Sequence, residues 1–138
     1  MPKFTQTFVM QKTFGIIAAV YGALAVILGA FGAHALKEKL DAYQLEIFNK
    51  GVQYQFYHVI ALFAVVFLAE KIQPKTLTFA GWFFSVGILF FSGSLYLLAT
   101  RSLMGTDTLT PILGPVTPLG GLCFIIGWTL LLVSFTKL

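Results

Sequence analysis

Four long apolar stretches alternate with shorter polar or turn-rich segments along the chain. The first runs from about Thr13 to Ala35 without a charged residue, and within it Ala18, Gly22, Ala25, Gly29 and Ala33 recur every three or four positions. That spacing puts them on one helical face. In lipid the acyl tails are as apolar as leucine, so helices associate through close packing, and small residues let two backbones approach. The stripe therefore predicts a helix-packing face. Further stretches run from about Val52 to Ala69, from about Thr76 to Ala99 and from about Leu119 to Phe135. A hydrocarbon core of roughly 30 Å needs about 20 residues of helix, so each stretch predicts one membrane span.

The segments between them predict three different connections. Residues 36–50 carry both signs of charge, with Leu36, Leu40, Tyr43 and Ile47 at helical spacing. They read as an amphipathic helix lying flat on the membrane surface, with Lys37, Glu38, Lys39 and Asp41 toward water. Lys71, Gln73, Pro74 and Lys75 make a short polar turn, which makes the second and third spans antiparallel neighbours. From Thr100 to Pro118 the chain holds three prolines, Gly105 and Gly114, which predicts an ordered loop. Its Leu103, Met104, Leu109, Ile112, Leu113 and Val116 are apolar enough to fold it back onto the bundle. Lys12, the following apolar run and Ala33-His34-Ala35 imitate a signal peptide with its cleavage site. The run is longer than the usual h-region and the remaining chain itself spans the membrane, so the first span is expected to stay uncleaved.

Composition supports this picture. With 138 residues, 58% apolar and 10% charged, the chain has room for one domain and lies outside the range of soluble globular proteins. The fold expected is all-α: a four-transmembrane-helix up-down bundle with an interfacial amphipathic helix between the first two spans. The net charge of +4 sits mostly at segment ends, where basic side chains anchor to headgroups, so the partner is the lipid bilayer and no nucleic acid. One side holds the N-terminus, the second turn and the C-terminus with Lys3, Lys12, Lys71, Lys75 and Lys137; the other holds Lys37, Lys39, Lys50 and Arg101. Five against four favours both termini in the cytoplasm. Cys123 is the only cysteine, which excludes an intramolecular disulfide and reads as a buried, inert thiol.

Four segments in order, GAFGAHALKEKL (29–40), GVQYQFYH (51–58), FSGSLYLL (91–98) and GPVTPLGGLCFIIGW (114–128), resemble the domain of unknown function 423 family, also called transmembrane protein 256-like. The resemblance covers roughly residues 13–136. It implies a small multi-span protein of bacterial inner membranes, or of organelle membranes in animal relatives. It implies no reaction.

Candidate chemistry gathers at one end of the spans. His34 closes the first, while Glu46, Asn49 and Gln53 lead into Tyr54, Gln55, Tyr57 and His58 in the second. If the helix is continuous, Glu46, Asn49, Gln53 and Tyr57 share a face, with Tyr54 and His58 on an adjoining stripe. A polar group at the depth of His58 needs partners inside the bundle, because lipid offers none. Two readings compete. One is a proton-linked, ligand or cofactor site formed by His34, Gln53, Tyr54, Tyr57 and His58 facing Ser92, Ser94 and Tyr96 of the third span. The other is interhelical hydrogen bonding, averaging about 0.6 kcal/mol per bond in one measured membrane protein. Gly120, Gly121 and Gly127 suit tight packing of the fourth span.

Paired imidazoles from neighbouring helices can hold iron, but His34 is expected near the surface and His58 deeper. No carboxylate or thiolate is spaced to complete a metal shell, so no metal and no cofactor are expected. No catalytic residue stands out, and the spans contain no acidic residue of the kind that ion pumps place near the membrane centre. The leading expectation is a non-enzymatic accessory or assembly subunit, homo-oligomeric or part of a larger membrane-protein complex. A small-molecule, lipid or ion pathway and a redox or enzyme subunit are the alternatives.

Overall fold

The computed structural model describes residues 3–72 and 75–138. Gln73 and Pro74 of the expected polar turn lie outside the described residues. Helix α1, Lys3–Phe31, begins well before the expected Thr13, because residues 3–12 contain neither Pro nor Gly to stop it. A π-helical turn, Gly32–Leu36, completes the first span. Helix α2 is Ala42–Leu68. Helix α3, Lys75–Gly87, runs through a second π-helical turn, Ile88–Ser92, into α4, Gly93–Met104, so that Lys75–Met104 is one rod. A short 3₁₀ turn, Asp107–Leu109, leads into α5, Thr110–Phe135. Four helices are long and apolar enough to cross a membrane, and no strand occurs among the described residues.

The flat surface helix expected over residues 36–50 is not a separate element. Leu36 ends the π-helical turn and its carbonyl accepts the amides of Lys39 and Leu40, which closes a tight turn. Asp41 is then extended, with φ −69° and ψ 168°, and caps α2: its carboxylate accepts the Gln44 amide at 2.8 Å while the Gln44 side chain accepts the Asp41 amide at 3.2 Å. This reciprocal pair satisfies two otherwise orphaned donors and starts the helix at that point. Residues 42–50 are therefore the first turns of the second span.

The loop expected over residues 100–118 is largely helical as well. The third rod continues to Met104 and stops at Gly105, whose φ of 65° is the left-handed geometry that glycine adopts without a Cβ penalty. Pro111 occupies the first turn of α5, where an amide would have no helical partner in any case. Pro115 and Pro118 lie inside the helix, each removing one backbone bond. Membrane helices tolerate such losses when neighbouring helices and Ser or Thr side chains compensate. The carbonyls left without a helical donor are those of Pro111 and Gly114. Beside them the Thr117 hydroxyl bonds back to the Leu113 carbonyl at 3.4 Å and meets Ser94 Oγ of α4 at 2.7 Å, which ties this stretch to the third rod.

Packing follows an up-down order. Across the first two spans Gly29 faces Val52, Gly22 faces Val59 and Gln11 reaches Glu70, an antiparallel register. Between the third and fourth, Ser94 meets Thr117, Gly87 meets Phe124, Phe84 meets Gly127 and Thr76 meets Ser134, again antiparallel. The second and third spans are the more buried pair, with the first and fourth outside them. One core cluster centres on Phe14, Leu62, Val65, Leu77, Phe84 and Ile88, and a smaller one on Leu36, Leu40, Phe48 and Ala99 closes the other end. Phe8, Ile16, Val26, Ile60, Phe67, Ile125 and Leu132 are exposed, an apolar outer surface of the kind that lipid covers.

The small-residue stripe divides by depth. Ala18 and Ala25 are buried, and Gly22 and Gly29 are half-buried against valines of α2. In the fourth span a Cβ on Gly120 would collide with the backbone of Phe91, and one on Gly127 would lie 2.7 Å from the Phe84 ring. Gly121 is looser, 3.8 Å from that of Phe91.

Candidate functional site

His58 is buried at 4% exposure where the second, third and fourth spans meet. Its imidazole stacks on Phe124, ring centroids 3.4 Å apart and planes 6° from parallel, with Tyr54 and Phe84 nearby. Nδ1 lies 2.7 Å from the Tyr54 carbonyl, which only accepts, so Nδ1 carries the proton. The Trp128 indole donates to Nε2 at 3.1 Å, so Nε2 offers its lone pair. Together the two bonds hold a neutral ring in one tautomer and use both of its nitrogens.

A second network ties the first three spans together. The Tyr96 hydroxyl donates to Gln55 Oε1 at 2.7 Å, and Gln55 Nε2 donates to the Tyr21 carbonyl at 2.7 Å. The Tyr21 hydroxyl donates to the Ser85 carbonyl at 3.1 Å, and the Ser85 hydroxyl bonds back to Gly81 at 2.8 Å. Gln55 is 3% exposed, and both ends of its amide are engaged. Tyr21 and Trp128 are the members that sequence reasoning missed. Each left only a faint signal, a side chain with one polar tip inside an otherwise apolar span.

The structure separates the remaining candidates. Glu46, Asn49, Gln53 and Tyr57 share a face of the continuous α2, and that face is exposed. Glu46 reaches Lys50 at 3.9 Å, while Asn49 and Gln53 have no hydrogen-bond partner among the described residues. His34 is also exposed, in the π-helical turn after α1. The register that places Gly29 opposite Val52 leaves it about 16 Å of helix rise short of His58. The two histidines are not juxtaposed, so the paired-imidazole arrangement does not form. Ser94 bonds to Phe91 and Thr117, whereas Ser92 Oγ is buried in the π-helical turn without a partner among the described residues.

The enclosed site expected among His34, Gln53, Tyr54, Tyr57, His58 and the third-span Ser92, Ser94 and Tyr96 therefore resolves into two inter-span networks and an outward stripe. Beside His58 an open groove of about 860 Å³ runs between the second and fourth spans, lined chiefly by Tyr54, Tyr57, Phe91, Phe124 and Trp128. Among the described residues no three His, Cys, Asp or Glu side chains converge as metal ligands. Cys123 is half-buried and unpaired.

Residues 28–121 match the family model described as "Protein of unknown function (DUF423)". The chain is 46% identical over 128 residues to the UPF0382 membrane protein YwdK of Bacillus subtilis strain 168, covering 92% of this chain and 98% of that one. It is 42% identical over 127 residues to a UPF0382 membrane protein of Staphylococcus epidermidis strain ATCC 12228, covering 92% and 98%. To the UPF0382 inner membrane protein YgdD of Escherichia coli strain K12 it is 36% identical over 126 residues, covering 89% and 88%. No solved structure matches the chain. With its four spans and these relatives, the chain belongs to the DUF423 family of multi-pass membrane proteins.

Proposed function

We propose that this protein is a non-enzymatic subunit that acts through helix contacts, and that it assembles with a second copy of itself along the outer stripe of α2. The observation that carries this reading is the pair of unpartnered amides, Asn49 and Gln53, on an exposed helix face that leads into the apolar span. Gln53 lies beyond the last charge, Lys50, where acyl tails offer no hydrogen-bond partner, so a protein surface that does is favoured there. The stripe is self-complementary. Copies inserted in the same direction and related by a two-fold axis along the membrane normal bring equivalent levels of α2 together. Each amide both donates and accepts, so like pairs with like. Glu46 and Lys50, one turn apart, already pair within each copy at 3.9 Å, so this part of the stripe brings no unpaired charge to the contact between copies. The buried polar groups favour the same reading, since both ring nitrogens of His58 and both ends of the Gln55 amide are engaged in joining spans.

Cysteine cross-linking tests this in native membranes. With Cys123 replaced by Ala, Gln53→Cys gives a disulfide-linked dimer on mild oxidation, while Val26→Cys on the lipid-facing side of α1 does not. A protein that runs as a lone monomer in mild detergent and forms no Gln53→Cys dimer overturns the proposal. The same reading places both termini in the cytoplasm, supported by the five-to-four excess of basic residues on their side. A C-terminal reporter active only outside the cytoplasm overturns that placement if it lights up.

A further inference from the structure

We propose that the seam between the first and third spans is a binding site for one anionic phospholipid, its phosphate held by Lys75 and an acyl chain laid along Trp82 toward Leu89. Two grooves, each of about 400 Å³, lie end to end along this seam and share Trp82 as a wall. They persist because α1 and α3 touch only at separated points. The Thr78 hydroxyl donates to Met10 Sδ at 3.2 Å, Phe14 packs on Gly81 and edge-on to Trp82, and the Tyr21 hydroxyl reaches the Ser85 carbonyl. Between these points the facing side chains leave an open track.

The track is polarised along its length. Its upper end holds Lys75, Gln6 and Thr13, while its lower end is walled by Ile16, Ile17, Val20, Val86 and Leu89. The polar atoms of the lower end are already used, Tyr21 on Ser85 and Ser85 on Gly81. From Lys75 to Leu89 the helix rises about 21 Å, somewhat more than the roughly 15 Å of one leaflet's hydrocarbon. A cation at the mouth above an apolar track of this length is complementary to a lipid with a negative head.

Charge argues for a lipid over a second copy of the chain. Lys12, Lys71 and Lys75 at this end are exposed, and none forms an ion pair among the described residues. Of the five acidic residues, Glu38, Asp41, Glu46 and Asp107 sit at the opposite end of the spans. Glu70 is at this end but already accepts from the Gln11 side chain at 3.3 Å. A second copy inserted in the same direction brings one carboxylate to this end, Glu70, together with its own Lys12, Lys71 and Lys75, whereas an anionic headgroup brings a phosphate without further cations. The seam shares no lining residue with the α2 stripe, so the two proposals stand or fall separately.

Brominated lipids test it through tryptophan fluorescence, because the chain has two tryptophans and only Trp82 lines the seam. The full-length protein is placed in phosphatidylcholine nanodiscs, and brominated phosphatidylglycerol or brominated phosphatidylcholine is added at matched low mole fraction. The apparent affinity read from quenching is expected to favour phosphatidylglycerol about fivefold, which corresponds to roughly 1 kcal/mol for one lysine near the membrane surface. The preference disappears in Lys75→Gln and in Trp82→Phe, survives in Lys75→Arg, and is unchanged by millimolar inorganic phosphate. Equal quenching by the two lipids, or a preference that persists in Lys75→Gln or in Trp82→Phe, overturns the proposal. Abolition by inorganic phosphate overturns the assignment to a lipid, because the headgroup would then be read without its chain.

Discussion

Trp128 donates its indole N–H to Nε2 of His58 at 3.1 Å, and that bond ties the fourth span to the second across a ring stacked on Phe124. It has a plain energetic consequence. In Trp128→Phe an aromatic ring remains but the indole N–H is lost, so Nε2 is left buried without a donor, and such an orphan costs about 1 to 3 kcal/mol. Reversible unfolding in mixed micelles should show a loss near the lower end of that range, because the groove beside His58 is open. A variant as stable as the parent would show that the bond contributes nothing.

Gln55 and Tyr96 should be energetically coupled. Their 2.7 Å bond joins the second and third spans, and the other end of the amide holds the first. A double-mutant cycle with Gln55→Leu and Tyr96→Phe should give a coupling of about 0.6 kcal/mol and no more than about 1.7, the range measured for such bonds in a membrane protein. Strict additivity within error would break the network into unrelated contacts.

Gly120 and Gly114 lie in the same helix and should respond oppositely to alanine. At Gly120 the new methyl meets the backbone of Phe91 and α5 must move off the third rod, an overpacking that costs about 1 to 3 kcal/mol. At Gly114 nothing lies within 4 Å, and alanine is favoured over glycine in a helix by up to about 1 kcal/mol. Paired melting experiments in one detergent check the sign at each site, and equal responses would contradict the packing described.

Asp41→Ala removes the reciprocal cap of α2. The expected loss is about 1 kcal/mol, borne by the first turn and not by the whole span. Hydrogen exchange should speed up for the amides of residues 42–45 and stay unchanged near His58. Faster exchange throughout α2 would mean that the cap governs the whole helix.

The two readings that went astray both came from local rules applied without the neighbouring helices. The prolines of residues 100–118 argued for a loop, yet Pro111 falls where no helical amide is needed, and Pro115 and Pro118 each cost one backbone bond without ending the helix. The charges of residues 36–50 argued for a surface helix, yet Asp41 and Gln44 were a readable start signal that places 42–50 within the second span.

By itself the sequence determined the number of spans, their order and the shared face of Glu46, Asn49, Gln53 and Tyr57. Each of these depends on the length or periodicity of a single segment, set against the thickness of the hydrocarbon. Only the tertiary structure decided which face looks inward. In water an apolar face must be the buried one, but in lipid the outer surface is as apolar as the core, so periodicity cannot tell inside from outside. That choice turned Gln55 and His58 to the interior, and left the stripe from Glu46 to Tyr57 facing out.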